Sequence, residues 1–374
     1  MGRDIDFVPV SRPNLQKIDW NRFLNSVKSG ELSSTAEVVS EFERAIAEYI
    51  GRRFAVAVSS GTAALEISLK ALGITFGDEV IVPSMSIISC SQSVTKLGAR
   101  IRPVDSRIED FNIDVNLIKK SIGENTRAIL GVHTYGIPAN FKQIIRLASE
   151  YGLLVIEDAA EALGSSLEDR KCGSFGDVSI LSFYPNKTIT TGEGGMILTD
   201  DELLAEKCRS LRNLCFSSSR RFMHEELGWN YRLTGIQATL GLLQCEEIDS
   251  IVSRKSEIGR LYDEVLPQSS DFRKPLKEFE NRRNYYWVYP ILLSEKWNLE
   301  LIMNNLRNLG IETRPSFYPA HLQPVYRGLF PKSLSLPIAE RIASSVFYLP
   351  SGPGTTDEDI LRSADSFLRV LENV

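Results

Sequence analysis

Three short segments carry residues able to do chemistry. Ser60-Gly61-Thr62 joins the strand-like run FAVAVSS (54–60) to the helical periodicity of GTAALEISLKALGI. Glycine lets the backbone approach a ligand closely, and the start of a helix presents unpaired N–H groups with a partial positive charge, an arrangement that favours an anion such as phosphate. The same residues also fit a plain helix cap through Ser60 or Thr62. Asp158 ends the apolar run LLVIED and precedes Ala159 and Ala160. At the carboxyl end of a strand an acid can pair with a cationic ligand atom, or it can cap whatever follows. Lys187 lies in SFYPNKTITTGEGGMILTDD (182–201), between two strand-like runs and near Gly192, Gly194 and Gly195. A lysine amine forms a Schiff base with a carbonyl when its surroundings lower its pKa, although a lone lysine in a glycine-rich loop also reads as a solvated charge.

Taken together and in this order, an anion-binding helix start, an acid at a strand end, a hydroxyl and a lysine form the set needed to hold pyridoxal phosphate. Metal chemistry is disfavoured. The three histidines, His133, His224 and His321, stand far apart, none at i+3 or i+4 from another, so no metal site is expected.

These residues need elements to position them. A helix is expected at 36–50, where Val38, Phe42, Ile46 and Ile50 recur every four residues before Gly51. Strand-sized runs follow at 54–60, 79–84, 99–105, 127–133, 153–158 and 177–183, with helical segments such as 140–152 between several of them. Short apolar strands alternating with helices indicate an α/β fold with a mostly parallel sheet covered on both faces, in which ligands gather at the carboxyl ends of the strands. Residues 233–263 read as one long helix, 285–294 as a strand, and the regions near 298–309 and 356–371 as helices. We therefore expect a large domain over 1–245 and a smaller α+β C-terminal domain over 246–374, with the N-terminal segment able to pack on the smaller one. The polar stretch SSSRRF (217–222) reads as a mobile loop.

Composition narrows the function classes. Of 374 residues 43% are hydrophobic and 24% charged, enough for a sizeable core, which excludes a disordered tail or a disulfide mini-protein. The formal charge of −5 and the absence of a basic run argue against a nucleic-acid partner. No run of about 18 apolar residues is present, and the start MGRDIDFVPVSRPNL breaks any signal-like stretch with charges, so neither a membrane partner nor secretion is expected. Five irregularly spaced cysteines suit free thiols in a cytoplasmic protein.

The segments VSRPNL, SSGTAALEISLKALGI, HTYGIPAN, EDAAEALGS, SFYPNKTITTGEGGM, GWNYRLTGIQATLG and TRPSFYPAHLQPVY resemble the DegT/DnrJ/EryC1/StrS sugar aminotransferases, which are fold-type I pyridoxal-phosphate enzymes, and they span nearly the whole chain. The resemblance implies that Lys187 is the Schiff-base lysine and proton carrier, and that Asp158 pairs with the ring nitrogen of the cofactor. It further implies that Gly61, Thr62 and Ser182 hold the phosphate, with Asn230 reaching in from a second subunit of a homodimer with shared active sites. Glu161 stands near the phenolic oxygen of the cofactor where many members have Gln, so altered titration with activity retained is expected. Ile87 replaces an aromatic residue that stacks on the cofactor, which predicts looser retention, since stacking is worth roughly 0.5–1.5 kcal/mol.

Within the family the resemblance is greatest to the GDP-perosamine synthase branch, which moves an amino group from L-glutamate to C4 of GDP-4-keto-6-deoxymannose, with pyridoxamine phosphate as the intermediate form of the cofactor. Arg314, Tyr318 and His321 fall in the segment resembling the substrate-side loop, while His321 also reads as a structural histidine beside Pro319. The implied role is in bacterial surface-polysaccharide synthesis, that is, O-antigen and lipopolysaccharide. Alternatives are amination of a dTDP- or UDP-linked 4-keto or 3-keto sugar, a sugar 3-dehydratase, and a non-catalytic cofactor sensor. Lys187 opposes the dehydratase, which carries histidine there. The complete set Lys187, Asp158 and Ser182 opposes the sensor.

Overall fold

The computed structural model describes residues 7–217, 220 and 222–373. Its largest sheet has seven strands: β1 (Phe54–Val58), β2 (Glu79–Pro83), β3 (Arg100–Val104), β4 (Thr126–Val132), β5 (Leu154–Asp158), β6 (Val178–Ser182) and β7 (Gly195–Thr199). They lie in the order β1-β7-β6-β5-β4-β2-β3. Strands β3, β2, β4, β5 and β6 pair in parallel, and β7 runs antiparallel to both neighbours, β6 and β1.

Alternation along the strands sorts their side chains onto two faces. Val56, Val58, Val80, Val82, Leu130, Ile156 and Ile180 pack against helices Gly61–Ala71, Ile88–Lys96 and Glu202–Arg212. On the other face, Ala55, Ala57, Leu181 and Leu198 meet helix Glu37–Ile50, while Ile81, Ile129 and Val155 meet Phe141–Tyr151. The sheet is thus buried on both sides, which is why its strands read as nearly unbroken apolar runs.

The helix expected over 233–263 is two. Gly235–Cys245 starts from Thr234 in a reciprocal capping box with Gln237 and ends at Glu246. Ile248–Val265 then sets off after Glu247, whose φ −109° and ψ 9° leave the helical region. The break has a packing cause. The first helix lies so close to helix Glu37–Ile50 that a Cβ on Gly241 would sit 2.5 Å from the Phe42 ring. The second carries Ile248, Ile251 and Val252 into that same core, but Ile258 and Tyr262 into a separate one, and no straight rod serves both directions.

The separate core belongs to a four-stranded antiparallel sheet in the order Phe272–Arg273, Tyr289–Leu293, Val346–Leu349, Arg314–Pro315, joined by helices Leu299–Asn308 and Asp357–Asn373. Val8 is buried in it and its N–H bonds to Gly310 O at 2.9 Å. We propose the division of the chain after residue 245, where the helix breaks, with the next turns still packed on the larger core. The strand expected from 285 begins only at Tyr289, because Tyr286 is left-handed (φ 58°) and its N–H bonds to Asn284 Oδ1. This turn frees Trp287 from the ladder. Residues 218, 219 and 221 of the polar stretch 217–222 lie outside the described residues, as do residues 1–6 of the chain start. Among the described residues, no helix is long and apolar enough to cross a membrane, and all five cysteines are free thiols.

Candidate active site

The carboxyl ends of β1, β5 and β6 open onto one cavity of about 290 Å³, and it gathers Gly61, Thr62, Ile87, Asp158, Glu161, Ser182 and Lys187. Ser60 is extended and its Oγ accepts from Ala63 N at 3.1 Å, so it does cap the helix. The cap leaves the amides of Gly61 and Thr62 without an intrahelical acceptor, as any first turn does. Space there is tight. A Cβ on Gly61 would lie 3.0 Å from Ser182 Cβ, and one on Gly195 would lie 2.4 Å from Ser60 O. The cap and the anion cradle are therefore the same structure.

Asp158 is 3% exposed, with one donor on each oxygen: Ala160 N–H on Oδ1 at 3.0 Å and Cys90 S–H on Oδ2 at 3.2 Å. Burial raises its pKa, and the two donors together with the charge of Lys187 oppose that rise. Lys187 follows a tight turn in which its N–H bonds to Tyr184 O at 2.9 Å. Its side chain is only 13% exposed, with Nζ 3.8 Å from Glu161 Oε1 and 4.0 Å from the Trp287 ring centroid. Burial lowers the pKa of Lys187, against the pull of Glu161 and Asp158. Burial also pushes the Glu161 carboxyl up to about 7, against the charge of Lys187 and the N–H of Tyr135, which Oε2 accepts at 2.9 Å.

A buried lysine amine of lowered pKa, a buried acid and a glycine-lined helix start on one cavity are the donor set that pyridoxal phosphate requires: a nucleophile for its carbonyl, an anion for its ring nitrogen, and N–H donors for its phosphate. Ile87 stands at the mouth, 40% exposed, as the residue before helix Ile88–Lys96.

Four sequence-derived candidates do not line this cavity. The His321 side chain is 1% exposed, with Nδ1 2.7 Å from Ser84 Oγ and Nε2 3.1 Å from Glu340 Oε1, so both ring nitrogens are engaged within the chain. Arg314 lines an adjoining cavity of about 420 Å³ and pairs with Glu312 at 2.8 Å. Tyr318 is 55% exposed and lines neither. Asn230 is exposed and its backbone bridges Asn213.

Sequence reasoning missed Trp287, Phe317 and Tyr348, which wall the cavity from in and beside the C-terminal sheet. Trp287 is anchored by its indole N–H on Asn186 O at 3.0 Å. Its only signal was its place in an aromatic run, YYWVYP, that reads as strand core.

His133, Glu157 and Cys172 also cluster, fully buried. His133 Nδ1 accepts Ala139 N–H and its Nε2 donates to Glu157, which further accepts from Gly173 N, Phe175 N and Ser179 Oγ. With those lone pairs taken by protein donors, the cluster reads as a hydrogen-bond knot behind the sheet rather than a cation site.

Residues 13–367 match the profile of the DegT/DnrJ/EryC1/StrS aminotransferase family. Among curated proteins, the chain is 38% identical over 360 residues to the GDP-perosamine synthase of Escherichia coli O157:H7, covering 96% of this chain and 97% of that one. Among solved structures, Helicobacter pylori PseC, an aminotransferase involved in the biosynthesis of pseudoaminic acid, superposes with a TM-score of 0.93 at 27% identity, covering 99% and 100% of the two chains. The PLP form of a putative sugar aminotransferase from Streptococcus pneumoniae superposes with a TM-score of 0.92 at 25% identity, covering 98% and 99%.

Proposed function

Because the chain belongs to the DegT/DnrJ/EryC1/StrS aminotransferase family, we propose that it moves the amino group of L-glutamate to C4 of GDP-4-keto-6-deoxymannose. The chain is a pyridoxal-phosphate-dependent nucleotide-sugar aminotransferase. The observation that carries the reaction is the convergence of Lys187, Asp158 and the Gly61-Thr62 helix start on one cavity. The GDP-linked substrate is supported by the 38% identity to a GDP-perosamine synthase over nearly the full length of both chains.

When bound, pyridoxal phosphate supplies a carbonyl that accepts the amine and a protonated ring that accepts the electron pair released at the substrate carbon. The amides of Gly61 and Thr62 and the hydroxyl of Ser182 bind the phosphate. Asp158 holds the proton on the ring nitrogen through its charge. Lys187 would supply the amine for the cofactor carbonyl, and its Nζ would take up the α-proton of glutamate and, in the second half, hand a proton to the sugar carbon. Glu161 is the nearest acid to Nζ, and it sets how readily that amine gives up its proton. Trp287, Phe317 and Tyr348 give the reacting centre an aromatic wall.

We further propose a cytoplasmic homodimer in which Asn230 of the partner subunit completes the phosphate end. Two observations support it: Asn230 is exposed and away from its own cavity, and Ile87 and Tyr184 leave the mouth apolar and open, 40% and 48% exposed. The product would feed surface-polysaccharide synthesis.

The test is mass spectrometry of products from pyridoxal phosphate, L-glutamate and, separately, GDP-, dTDP- and UDP-linked 4-keto-6-deoxy sugars. An amino-sugar formed from the GDP substrate alone is the expected result. Product from a dTDP- or UDP-sugar alone overturns the nucleotide, and no product from any of the three, with product from a 3-keto sugar offered next, overturns the position.

A further inference from the structure

Asp158 lines the cavity at the carboxyl end of β5, and in the role proposed for it its carboxylate is useful only if it stays ionised and keeps its plane. Burial works against the first requirement, since Asp158 is 3% exposed and its pKa is raised. Two donors work in its favour. The main-chain N–H of Ala160 reaches Oδ1, which any residue after the strand would supply. The second donor is a side chain from another element: Cys90, in the first turn of helix Ile88–Lys96, is fully buried and its Sγ lies 3.2 Å from Oδ2.

We propose that Cys90 is a positioning residue: by donating its S–H to Oδ2 it fixes the rotation and the charge of Asp158 against the ring nitrogen of the cofactor. One donor per oxygen, from two different elements, allows a single plane for the carboxylate and leaves its remaining lone pairs for the cavity. The direction of the bond is set by chemistry. Burial and the neighbouring Asp158 charge drive the thiol pKa well above its ordinary value, so the sulfur keeps its proton and acts as donor at working pH. Cys90 is fully buried in the core against the sheet, so an apolar residue of its size would satisfy packing alone. What an apolar residue would not supply is the donor.

The charged and titratable groups acting on Asp158 besides Cys90 are Lys187 and His133, with Glu161 nearby. His133 is engaged by Glu157 and Ala139. Among the described residues Cys90 is thus the side chain that donates a hydrogen bond to Asp158. The inference rests on the proposed role of Asp158 and is independent of which sugar is aminated.

The test uses the purified holoenzyme without any sugar. Variants Cys90→Ala and Cys90→Val remove the donor, with Val filling the space, and Cys90→Ser keeps it. Two readouts apply: the Kd for pyridoxal phosphate by equilibrium dialysis, and the pH titration of the ring nitrogen in enzyme loaded with ¹⁵N-labelled cofactor. Loss of a hydrogen bond to a charged group predicts cofactor binding weakened about tenfold in the Ala and Val variants. Their ring nitrogen should lose its proton at lower pH, while the Ser variant stays close to the parent on both measures. Parent-like values in Ala and Val would overturn the proposal. So would equal losses in Ala, Val and Ser when all three keep the parent's circular dichroism and Tm, since the role would then be packing. A wrong sugar assignment would leave all of these readouts untouched.

Discussion

The amine of Lys187 lies 3.8 Å from the carboxyl of Glu161 inside a cavity that disfavours charge on either. Burial lowers the proton affinity of the first and raises that of the second to about 7, so the proton affinities of the two groups are drawn toward each other. A lysine that must alternate between nucleophile and proton carrier gains from such a neighbour, because neither protonation state is far from reach.

If Lys187 is the nucleophile, as proposed, Lys187→Ala removes it. The visible absorbance of the lysine-linked cofactor should vanish and turnover should fall by at least about a thousandfold, on the scale of losing a group that acts in the chemical step. Absorbance spectra and product mass spectrometry check both. Substantial turnover in this variant would contradict the assignment.

Asp158→Asn keeps the shape of the side chain and removes its charge. The protein should remain folded by circular dichroism and lose about a hundredfold or more in the glutamate half-reaction, because the ring nitrogen is no longer held protonated. Rates near the parent's would mean that another group holds that nitrogen.

Glu161→Gln should alter titration while activity is retained. The Glu161 carboxylate raises the Lys187 pKa, so replacing it with a neutral amide lets the amine deprotonate at lower pH, and the acid limb of the pH–rate profile should move to lower pH. Stability gives a second readout. In the fold Glu161 titrates at about 7 against an ordinary 4.5. Its burial costs nothing below the ordinary value, and the cost grows until pH passes 7. The cofactor-free Gln variant should therefore gain on the parent between pH 5 and pH 8, by an amount of order 2 kcal/mol in urea unfolding. An unchanged difference between the two proteins across that range would refute the account.

Arg282 and Asp110 form a buried pair at 2.6 Å, 2% and 1% exposed. Arg282 also donates to Pro138 O and Phe279 O, tying the strand pair Glu278–Phe279 and Arg282–Arg283 to the large sheet's loops. Arg282→Met strands the Asp110 charge and should cost about 3–5 kcal/mol in denaturant unfolding. Cofactor affinity at low temperature should stay within about threefold of the parent's, the residues being outside the cavity.

If Asn230 of the partner subunit serves each site, mixing Lys187→Ala with Asn230→Ala protein should recover activity in hybrid dimers, up to about a quarter of the parent's, because one of the two sites in a hybrid is intact. Verified hybrids with no recovery would contradict shared sites.

How much of this was legible depended on range along the chain. Ser60-Gly61-Thr62 and Asp158 were found because each sits at a strand end, and Lys187 because it sits in the glycine-rich loop between two strands, where a local change from apolar run to turn is visible in the residues themselves. Trp287, Phe317 and Tyr348 were not found, because each is apolar or aromatic and at least a hundred residues from Lys187, so nothing local separates a cavity wall from a core. His321 lay in the expected segment, yet the fold spends both its ring nitrogens on Ser84 and Glu340.

The same division holds for the architecture. The apolar runs by themselves determined a mostly parallel sheet with its reactive residues toward the carboxyl ends of the strands, since strand period and helix start are local properties of the residues. Only the tertiary structure decided that the rod expected over 233–263 breaks at Glu246 and Glu247, that Tyr286 turns left-handed to release Trp287, and that the thiol of Cys90 meets Asp158. Those outcomes depend on what two distant surfaces require when they meet, and close packing is a property of pairs of elements that no single stretch of sequence contains.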